Sequence, residues 1–422
     1  MKNSCESKSE GVRLLEENTP ALILYVLISL STGAMLVAQA WLQQSLNFVN
    51  HIFLGYDFTV FYRAAMALLH GQSPYSIPDY VFPPLPALLI GLMASFDFEH
   101  IKHPLAVAVA LSVVASLCLT FRTFNPWFFG LRYKFFTLVA FALILSILSL
   151  SYPFMFLLER CNIDGFVLLS VCLGVFLLGK SDALSGVFFA LAISLKVYPL
   201  LVILPLATSR RWKALAFLCG TMLFLYLLTP QLWNEFITER ILRRASVFRI
   251  DENGSLMNAF LGLGFFLEAI SGADQGVLPK LMAKMAFPVY ALLLAAVTFF
   301  NLTKRNADPD ELRADVLMYV PFMVAVPNLA FHYELVGLLA MLPAISWHWK
   351  LTSQPAERMT LVFISAGIAI AQFQAVAAYE AIGSVHAHFV PAIGLFIVLA
   401  GIFIFKLRRT LRSARGIAAE RA

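Results

Sequence analysis

The sequence has little charge. Asp, Glu, Lys and Arg make up 13% of its 422 residues, and 60% of the residues are hydrophobic. An ordinary soluble domain carries about twice that share of charge. No stretch of ~100 residues is polar enough to form a soluble domain, which is the size that a domain usually has. We therefore predict a single transmembrane domain over residues 1–422 rather than two or three soluble domains.

Cysteine is also scarce, with five in the chain. Cys118, Cys172 and Cys219 lie in apolar runs, and Cys5 and Cys161 have no partner at a recognisable spacing. No disulfide framework, metal-ligand cluster or cofactor site follows from this pattern. The net charge is +6, but the basic residues are spread over short loops and the C-terminal tail. We therefore predict no bound metal, no cofactor and no nucleic-acid partner.

Long apolar runs dominate the chain, and a helix crosses the hydrocarbon with about 20 such residues. The pattern predicts an all-α polytopic membrane protein with about 11–12 transmembrane helices. The first run is longer than a signal core, so we predict an uncleaved anchor. The twelve candidate segments are 21–43, 81–95, 105–121, 136–152, 164–178, 184–206, 213–229, 278–302, 314–330, 334–348, 358–380 and 387–407.

The basic residues predict which loops face the cytoplasm. In the second half, clusters at 210–213, 304–305, 350 and 406–412 fall on alternate loops, which the positive-inside bias makes cytoplasmic. Simple alternation then places the N-terminus and the tail 407–422 inside, with long outer loops at 44–80 and 230–277.

The middle of the chain allows two arrangements. Simple alternation places Arg122 outside and the loop around Arg160 inside. The opposite arrangement fits the charges slightly better. It requires residues 81–95 to dip in and return, and the run 184–206 to break at Pro199 and form a hairpin.

The first outer loop contains apolar residues at helical spacing after Asp57, so we predict a helix lying in the membrane interface. Gly71 and Pro74 would end this helix. A carboxylate near the bilayer surface is costly unless it is paired or used, so Asp57 is a catalytic candidate. From the residues alone the commoner interpretation is a helix cap, since an Asp before Phe58 can accept hydrogen bonds from the first free backbone N–H groups. The helical pattern comprises Phe58, Phe61, Tyr62, Ala65, Leu68 and Leu69.

The second outer loop is basic on the side where basic residues are disfavoured. Its arginines at 240, 243, 244 and 249 either bind lipid phosphate or snorkel from an interfacial helix. At membrane depth, Lys196 either meets a phosphate or neutralises a buried acid. His332 and Glu334 either share a cavity with Asp57 or simply pack.

Five motifs follow one another along the chain in a recognisable order. They are YDFTVFYRAAMALLHGQSPY at 56–75, FPP at 82–84, RCNIDG at 160–165, LKVYP at 195–199 before RRW at 210–212, and NGSL at 253–256. Together they resemble glycosyltransferase family 87, a group of polyprenol-phosphate-sugar-dependent membrane enzymes of the GT-C class. The resemblance spans about residues 20 to 345. This chain departs from the pattern where a Tyr commonly precedes the proline pair and where a Gly commonly stands at Cys161.

The resemblance implies an inverting transferase. It would move a hexose, often mannose, from a polyprenyl phosphate to a lipid or glycan acceptor outside the cytoplasm, in the cell membrane. Asp57 matches the family's catalytic position and would act as general base. Positive charge near the leaving phosphate would come from Lys196, Arg160, Arg243 and Arg244. The candidate substrate-binding residues are Tyr62, Tyr75, Asn162, Asn253, His332 and Glu334.

Two other classes remain open. A transporter or flippase of a lipid-linked saccharide would also need many spans and buried polar residues, although no internal repeat is visible. A non-catalytic subunit of an envelope complex is the third reading. Asn253-Gly254 also reads as a simple turn.

Overall fold

The computed structural model is helical wherever the structure is described, which confirms the predicted all-α class. Predicted spans 21–43 and most of 136–152 lie outside the described residues. The described ranges are 55–93, 96–124, 148, 151–242, 255–271, 276–303, 308–325, 332–372 and 389–421.

The first half of the described chain forms helices of very different length. A short 3₁₀ turn, Pro74–Ser76, follows the first of them, and a second, Tyr198–Val202, precedes α7. The helices are α1 (Tyr56–Leu69), α2 (Pro84–Gly91), α3 (Phe98–Phe124), α4 (Tyr152–Arg160), α5 (Asp164–Leu177), α6 (Asp182–Leu195), α7 (Ile203–Thr208) and α8 (Trp212–Leu228).

The second half completes the bundle. A π-helical turn, Phe236–Leu242, follows α9, and a 3₁₀ helix, His332–Met341, precedes α14. The helices are α9 (Pro230–Glu235), α10 (Leu256–Ser271), α11 (Val277–Leu302), α12 (Pro309–Met318), α13 (Val320–Val324), α14 (Leu342–Leu351), α15 (Pro355–Ala371) and α16 (Phe389–Arg421).

Three described helices, α3, α11 and α16, are long and apolar enough to cross a membrane. The count rises to five if each bent pair forms one span, namely α4 with α5 and α8 with the helix after it. The chain is therefore a multi-pass helical membrane protein. Several of the predicted spans are short or broken helices instead of straight ones.

Helix α1 has the predicted apolar face. Phe58, Phe61 and Ala65 are fully buried, and the Phe58 ring stacks on Phe98 at a centroid distance of 5.2 Å. The helix begins at Tyr56, two residues before the predicted start at Phe58, and ends close to the predicted glycine. The apolar spacing predicted this helix correctly because its buried face packs against neighbouring helices.

Residues 81–95 do not cross the bundle. Helix α2 has eight residues, which corresponds to about 12 Å, far less than the ~30 Å of hydrocarbon. Phe82 lies beside Lys196, and the Phe96 carbonyl accepts a hydrogen bond from the Tyr62 hydroxyl at 3.2 Å. Both ends of the segment therefore lie at the end of the bundle that carries Asp57, here called the Asp57 end. The segment dips in and returns.

Helices α3 and α5 run in parallel from the Asp57 end. Gly165, near the start of α5, packs so closely on Val109, near the middle of α3, that a Cβ at Gly165 would lie 2.9 Å from the Val109 carbonyl oxygen. Near the C-terminal ends of both helices, the Arg122 guanidinium lies 5.9 Å from the centroid of the Phe176 ring. Arg122 is therefore at the opposite end of the bundle, here called the far end.

The run 184–206 forms a hairpin. The side chain of Lys196 contacts Asp164 at the Asp57 end, whereas Arg211 pairs with Asp182 at 3.6 Å at the far end. The chain between residues 198 and 208 must therefore return to the level at which α6 began. Helix α8 then rises beside α6 in parallel, with Gly186 against the backbone of Ala214.

These contacts decide between the two arrangements of the middle of the chain. Arg160 donates a hydrogen bond to Asp57, so its loop lies at the Asp57 end, and Arg122 lies at the far end. Simple alternation is wrong here because residues 81–95 and 184–206 each enter and leave on one side. The relative placement of these loops fits the opposite arrangement, with its dip and its hairpin.

The far end is held by ion pairs. Lys406 of α16 is buried and pairs with Asp315 of α12, and it also donates to Asn301 at 3.0 Å. Arg409 pairs with Glu311 at 3.2 Å. The basic residues of the last helix therefore join the helices that precede it.

Labelling of introduced cysteines tests this arrangement. Asp79→Cys and Asp97→Cys flank the dip, and Lys180→Cys and Lys213→Cys flank the hairpin; all four positions are exposed. A membrane-impermeant thiol reagent should label the first two variants from one face of oriented vesicles and the last two from the other face, measured against the unsubstituted chain. Labelling of Asp79→Cys and Asp97→Cys from opposite faces would contradict the dip, and labelling of Lys180→Cys and Lys213→Cys from opposite faces would contradict the hairpin.

Candidate functional site

Asp57 lies in the first turn of α1. Gly55 precedes that turn in a left-handed conformation with φ of 91°, and its N–H donates to the Glu159 carbonyl at 2.7 Å. This backbone bond ties the start of α1 to the finish of α4. The Asp57 side chain is 14% exposed, so it is reachable at the surface of the bundle but largely shielded.

Both carboxylate oxygens of Asp57 have a fixed donor. Arg160 donates through Nη1 to Oδ1 at 2.9 Å, and Asn162 donates through Nδ2 to Oδ2 at 2.7 Å. The N-cap position of α1 is occupied by Gly55, and Asp57 is the second residue of the helix. The helix-cap interpretation is therefore wrong. The carboxylate is held by two side chains from the turn between α4 and α5.

Arg160 is itself held in place. Its side chain is 7% exposed, and its guanidinium lies over the Tyr56 ring at 4.9 Å and the Phe156 ring at 4.5 Å. A guanidinium between two aromatic rings is stabilised by their electron-rich faces and loses little further freedom on binding a carboxylate. The ion pair with Asp57 is thus pre-organised.

Residues 160–164, here called the 160–164 turn, connect α4 to α5 at an angle of 117°. Cys161 is buried and left-handed, with φ of 48°. This conformation favours glycine, which accounts for the glycine that the family pattern commonly has there. Asn162 accepts the Asp164 N–H through Oδ1 at 3.2 Å, so its amide must point Nδ2 toward Asp57.

A second buried group lies at the start of α5. Lys196 contacts Asp164 at 2.5 Å and Glu334 at 3.2 Å, and the Tyr198 hydroxyl donates to Asp164 at 2.8 Å. We call these four residues the lysine cluster. Their carboxylate and ammonium side chains are at most 7% exposed. A cavity beside the cluster is lined otherwise by aliphatic side chains, such as Val167.

The contacts of the lysine cluster support one of the two predicted roles of Lys196. The structure shows it neutralising buried acids, which was one of the two predicted roles, while phosphate binding stays a prediction. Sequence reasoning missed Asp164 and Tyr198. Asp164 begins an apolar run at membrane depth, and that position was a signal for a paired acid. Tyr198 follows Lys196 by two residues and carried no comparable signal.

The two predicted outer loops contact each other, and the first loop does so through residues of the motif at 56–75. Arg240 donates to the carbonyl oxygens of Tyr75 at 2.6 Å and Ile77 at 2.9 Å, and Ser73 hydrogen-bonds Glu235. Arg240 therefore joins the loops. Burial, together with the nearby Glu235 carboxylate, raises the pKa of Tyr75 above its ordinary value.

Some predicted site residues have no described geometry. Arg243, Arg244 and Asn253 lie outside the described residues, and so does the side chain of His332, although its backbone begins a 3₁₀ helix. Within the described ranges, no group of three or more His, Cys, Asp or Glu side chains could hold a metal ion. Tyr62 is described and packs on Phe58 and Phe98.

The fold and the site together define a multi-pass helical membrane protein with a paired carboxylate at one end of its bundle. A family model, glycosyltransferase family 87, matches residues 80–327, which is more than half of the chain. The chain belongs to this family and is a membrane glycosyltransferase. Asp57 precedes the matched range, whereas the 160–164 turn and Lys196 lie inside it. No curated protein matches the chain.

The left-handed residue in the 160–164 turn can be tested by stability. Cys161→Gly should keep the melting temperature of the purified protein close to that of the wild type, because glycine adopts this conformation freely. Cys161→Val should lower the stability by about 1–3 kcal/mol, because a β-branched side chain is strained there. Equal melting temperatures for Cys161→Val and the wild type would contradict the assigned backbone conformation.

Proposed function

We propose that this enzyme transfers a hexose, with mannose as the favoured sugar, from a polyprenyl phosphate to a lipid or glycan acceptor. Asp57 acts as the general base, and the sugar is transferred with inversion. One observation carries the proposal: the Asp57 carboxylate is held by Arg160 and Asn162 at 2.9 and 2.7 Å, yet remains 14% exposed. A base needs this combination of fixed direction and access.

The reaction requires one proton transfer and one displacement. The acceptor hydroxyl attacks the anomeric carbon while its proton passes to an oxygen of Asp57. The bond from the anomeric carbon to the phosphate oxygen breaks on the opposite face, and polyprenyl phosphate leaves with that electron pair. The donor supplies the activated sugar, so no cofactor is needed.

Arg160 is the described residue best placed to meet the leaving phosphate. A guanidinium carries a permanent positive charge and donors whose geometry matches phosphate oxygens. Arg160 also lies at the Asp57 end, where the proposed reaction takes place. Arg243 and Arg244 remain further candidates for the phosphate, because they follow Arg240, which joins the outer loops at this end.

The proposed sugar and acceptor contacts come from the same end of the bundle. Tyr62 and Tyr75 lie in the first outer loop, and Asn162 lies in the 160–164 turn. Glu334 lies in the lysine cluster, so its role in substrate binding would be indirect. Asn253 and His332 complete the proposed set on sequence grounds.

The charges support an active site on the non-cytoplasmic face of the cell membrane. The positive-inside bias assigns the end richer in unburied basic residues to the cytoplasm. That end is the far end, so Asp57 would face outward. The residues at the far end that support this are Arg122, Lys180, Arg211, Arg409 and Arg412.

A transfer assay with purified protein and a radiolabelled polyprenyl phosphate sugar tests the proposal. Asp57→Asn keeps the size of the side chain but removes its basicity, so the rate should fall by about 10²–10⁴-fold, the usual contribution of a general base. Asp79→Asn is the matched control, because Asp79 is an exposed aspartate of the same loop. It should transfer like the wild type.

Three results would contradict parts of the proposal. Equal transfer by Asp57→Asn and the wild type would remove Asp57 from the chemistry. Movement of the labelled lipid between leaflets without transfer would favour a transporter. Retention of the anomeric configuration in the product would exclude the single displacement.

A further inference from the structure

We infer that Lys196 is a positioning residue for the general base, acting through Asp164 and the 160–164 turn. The inference rests on the proposed function, because it assigns a role within the proposed reaction. Two roles were predicted for Lys196, phosphate binding and the neutralisation of buried acids, and the second is the one proposed here. The ammonium group keeps the turn in the shape that orients Asp57.

The contacts form a continuous path from the lysine to the base. Lys196 and Tyr198 hold the two oxygens of Asp164 at 2.5 and 2.8 Å. The N–H of Asp164 donates to Asn162 Oδ1 at 3.2 Å. This bond orients the Asn162 amide, whose Nδ2 donates to Asp57 at 2.7 Å. A shift of Asp164 would therefore turn the amide away from the base.

Electrostatics explain why the path depends on the ammonium group. Asp164 and Glu334 are 1% and 7% exposed at their side chains, and Lys196 lies between them. Without Lys196, two buried carboxylates would face each other beside a largely aliphatic cavity. Buried charges that lose their partner are strongly destabilised. The backbone of Asp164 would move to relieve this repulsion, and the movement would change the shape of the 160–164 turn.

The same charges disfavour direct binding of the donor phosphate by Lys196. With both acids ionised, the lysine cluster has two negative charges and one positive charge. A phosphate approaching the ammonium group would meet two carboxylates at 2.5 and 3.2 Å from it. An ammonium group has three donors, and two of them face these acids. A positioning role therefore fits the geometry better than a phosphate contact.

The inference is tested by removing the lysine and then removing the acids that it neutralises. Lys196→Met should lower kcat by about 100-fold, because a misplacement of ~1 Å at the reacting groups costs about that much. The KM for a polyprenyl phosphate sugar should change by less than about 3-fold, since the lysine does not bind the donor. Adding Asp164→Asn and Glu334→Gln should restore kcat about 10-fold or more, because no buried charge is then unpaired.

Lys406→Met is the matched control. Lys406 is a buried lysine that pairs with the buried Asp315 at the far end of the bundle. Its loss should lower the melting temperature without lowering the kcat of the folded protein. A drop in kcat equal to that of Lys196→Met would mean that any buried lysine has this effect, and it would overturn the positioning role.

The remaining outcomes distinguish a failure of the positioning role from a failure of the proposed function. If the wild type transfers sugar but the triple variant is no more active than Lys196→Met, the inference is overturned and the proposed function stands. A donor KM that rises with kcat preserved would assign the lysine to phosphate binding and also overturn it. If Lys196→Met does not accumulate, the triple variant decides alone: activity within about 10-fold of the wild type supports the inference, and a lower activity overturns it. Failure of the wild type to transfer would overturn both.

Discussion

The structure at the Asp57 end depends on the cost of placing carboxylates close to hydrocarbon. An ionised side chain there must be paired or hydrogen-bonded, since water cannot solvate it adequately. Asp57 and Asp164 both meet this requirement through paired side chains. Arg160 and Asn162 serve the first acid, and Lys196 serves the second. The 160–164 turn carries one of these acids and both partners of the other.

This requirement accounts for the irregular course of the chain. The turn can reach Asp57 only if α4 and α5 meet at the Asp57 end, and they do so at an angle of 117°. Lys196 can reach Asp164 only if the run 184–206 breaks there. Residues 81–95 likewise enter and leave at that end, which places Phe82 beside the lysine. Short and broken helices are thus the structural means of collecting polar side chains at one end of a membrane protein.

The two charge groups have different access to solvent and so suit different tasks. The Asp57 side chain is 14% exposed, whereas that of Asp164 is 1% exposed. The accessible carboxylate can exchange a proton with a substrate, and the enclosed one can only hold its neighbours. The proposed reaction would use both groups. The accessible carboxylate would act as the base, and the enclosed one would help to keep the base in a fixed direction. The pairing at Lys406 shows that buried lysines also serve purely structural purposes here.

The sequence by itself determined the class of the protein and the helix after Gly55, and it singled out Asp57 as a candidate. Low charge, long apolar runs and the spacing of apolar residues are local properties, so they can be recognised without a fold. Only the tertiary structure decided which side chains pair with Asp57 and Lys196, and which end of the bundle carries Arg160. Three of those pairings join residues more than 100 positions apart, namely Asp57 with Arg160, Asp57 with Asn162, and Lys196 with Glu334. Spacing along the chain carries no information about such contacts, because they arise only when separate helices pack.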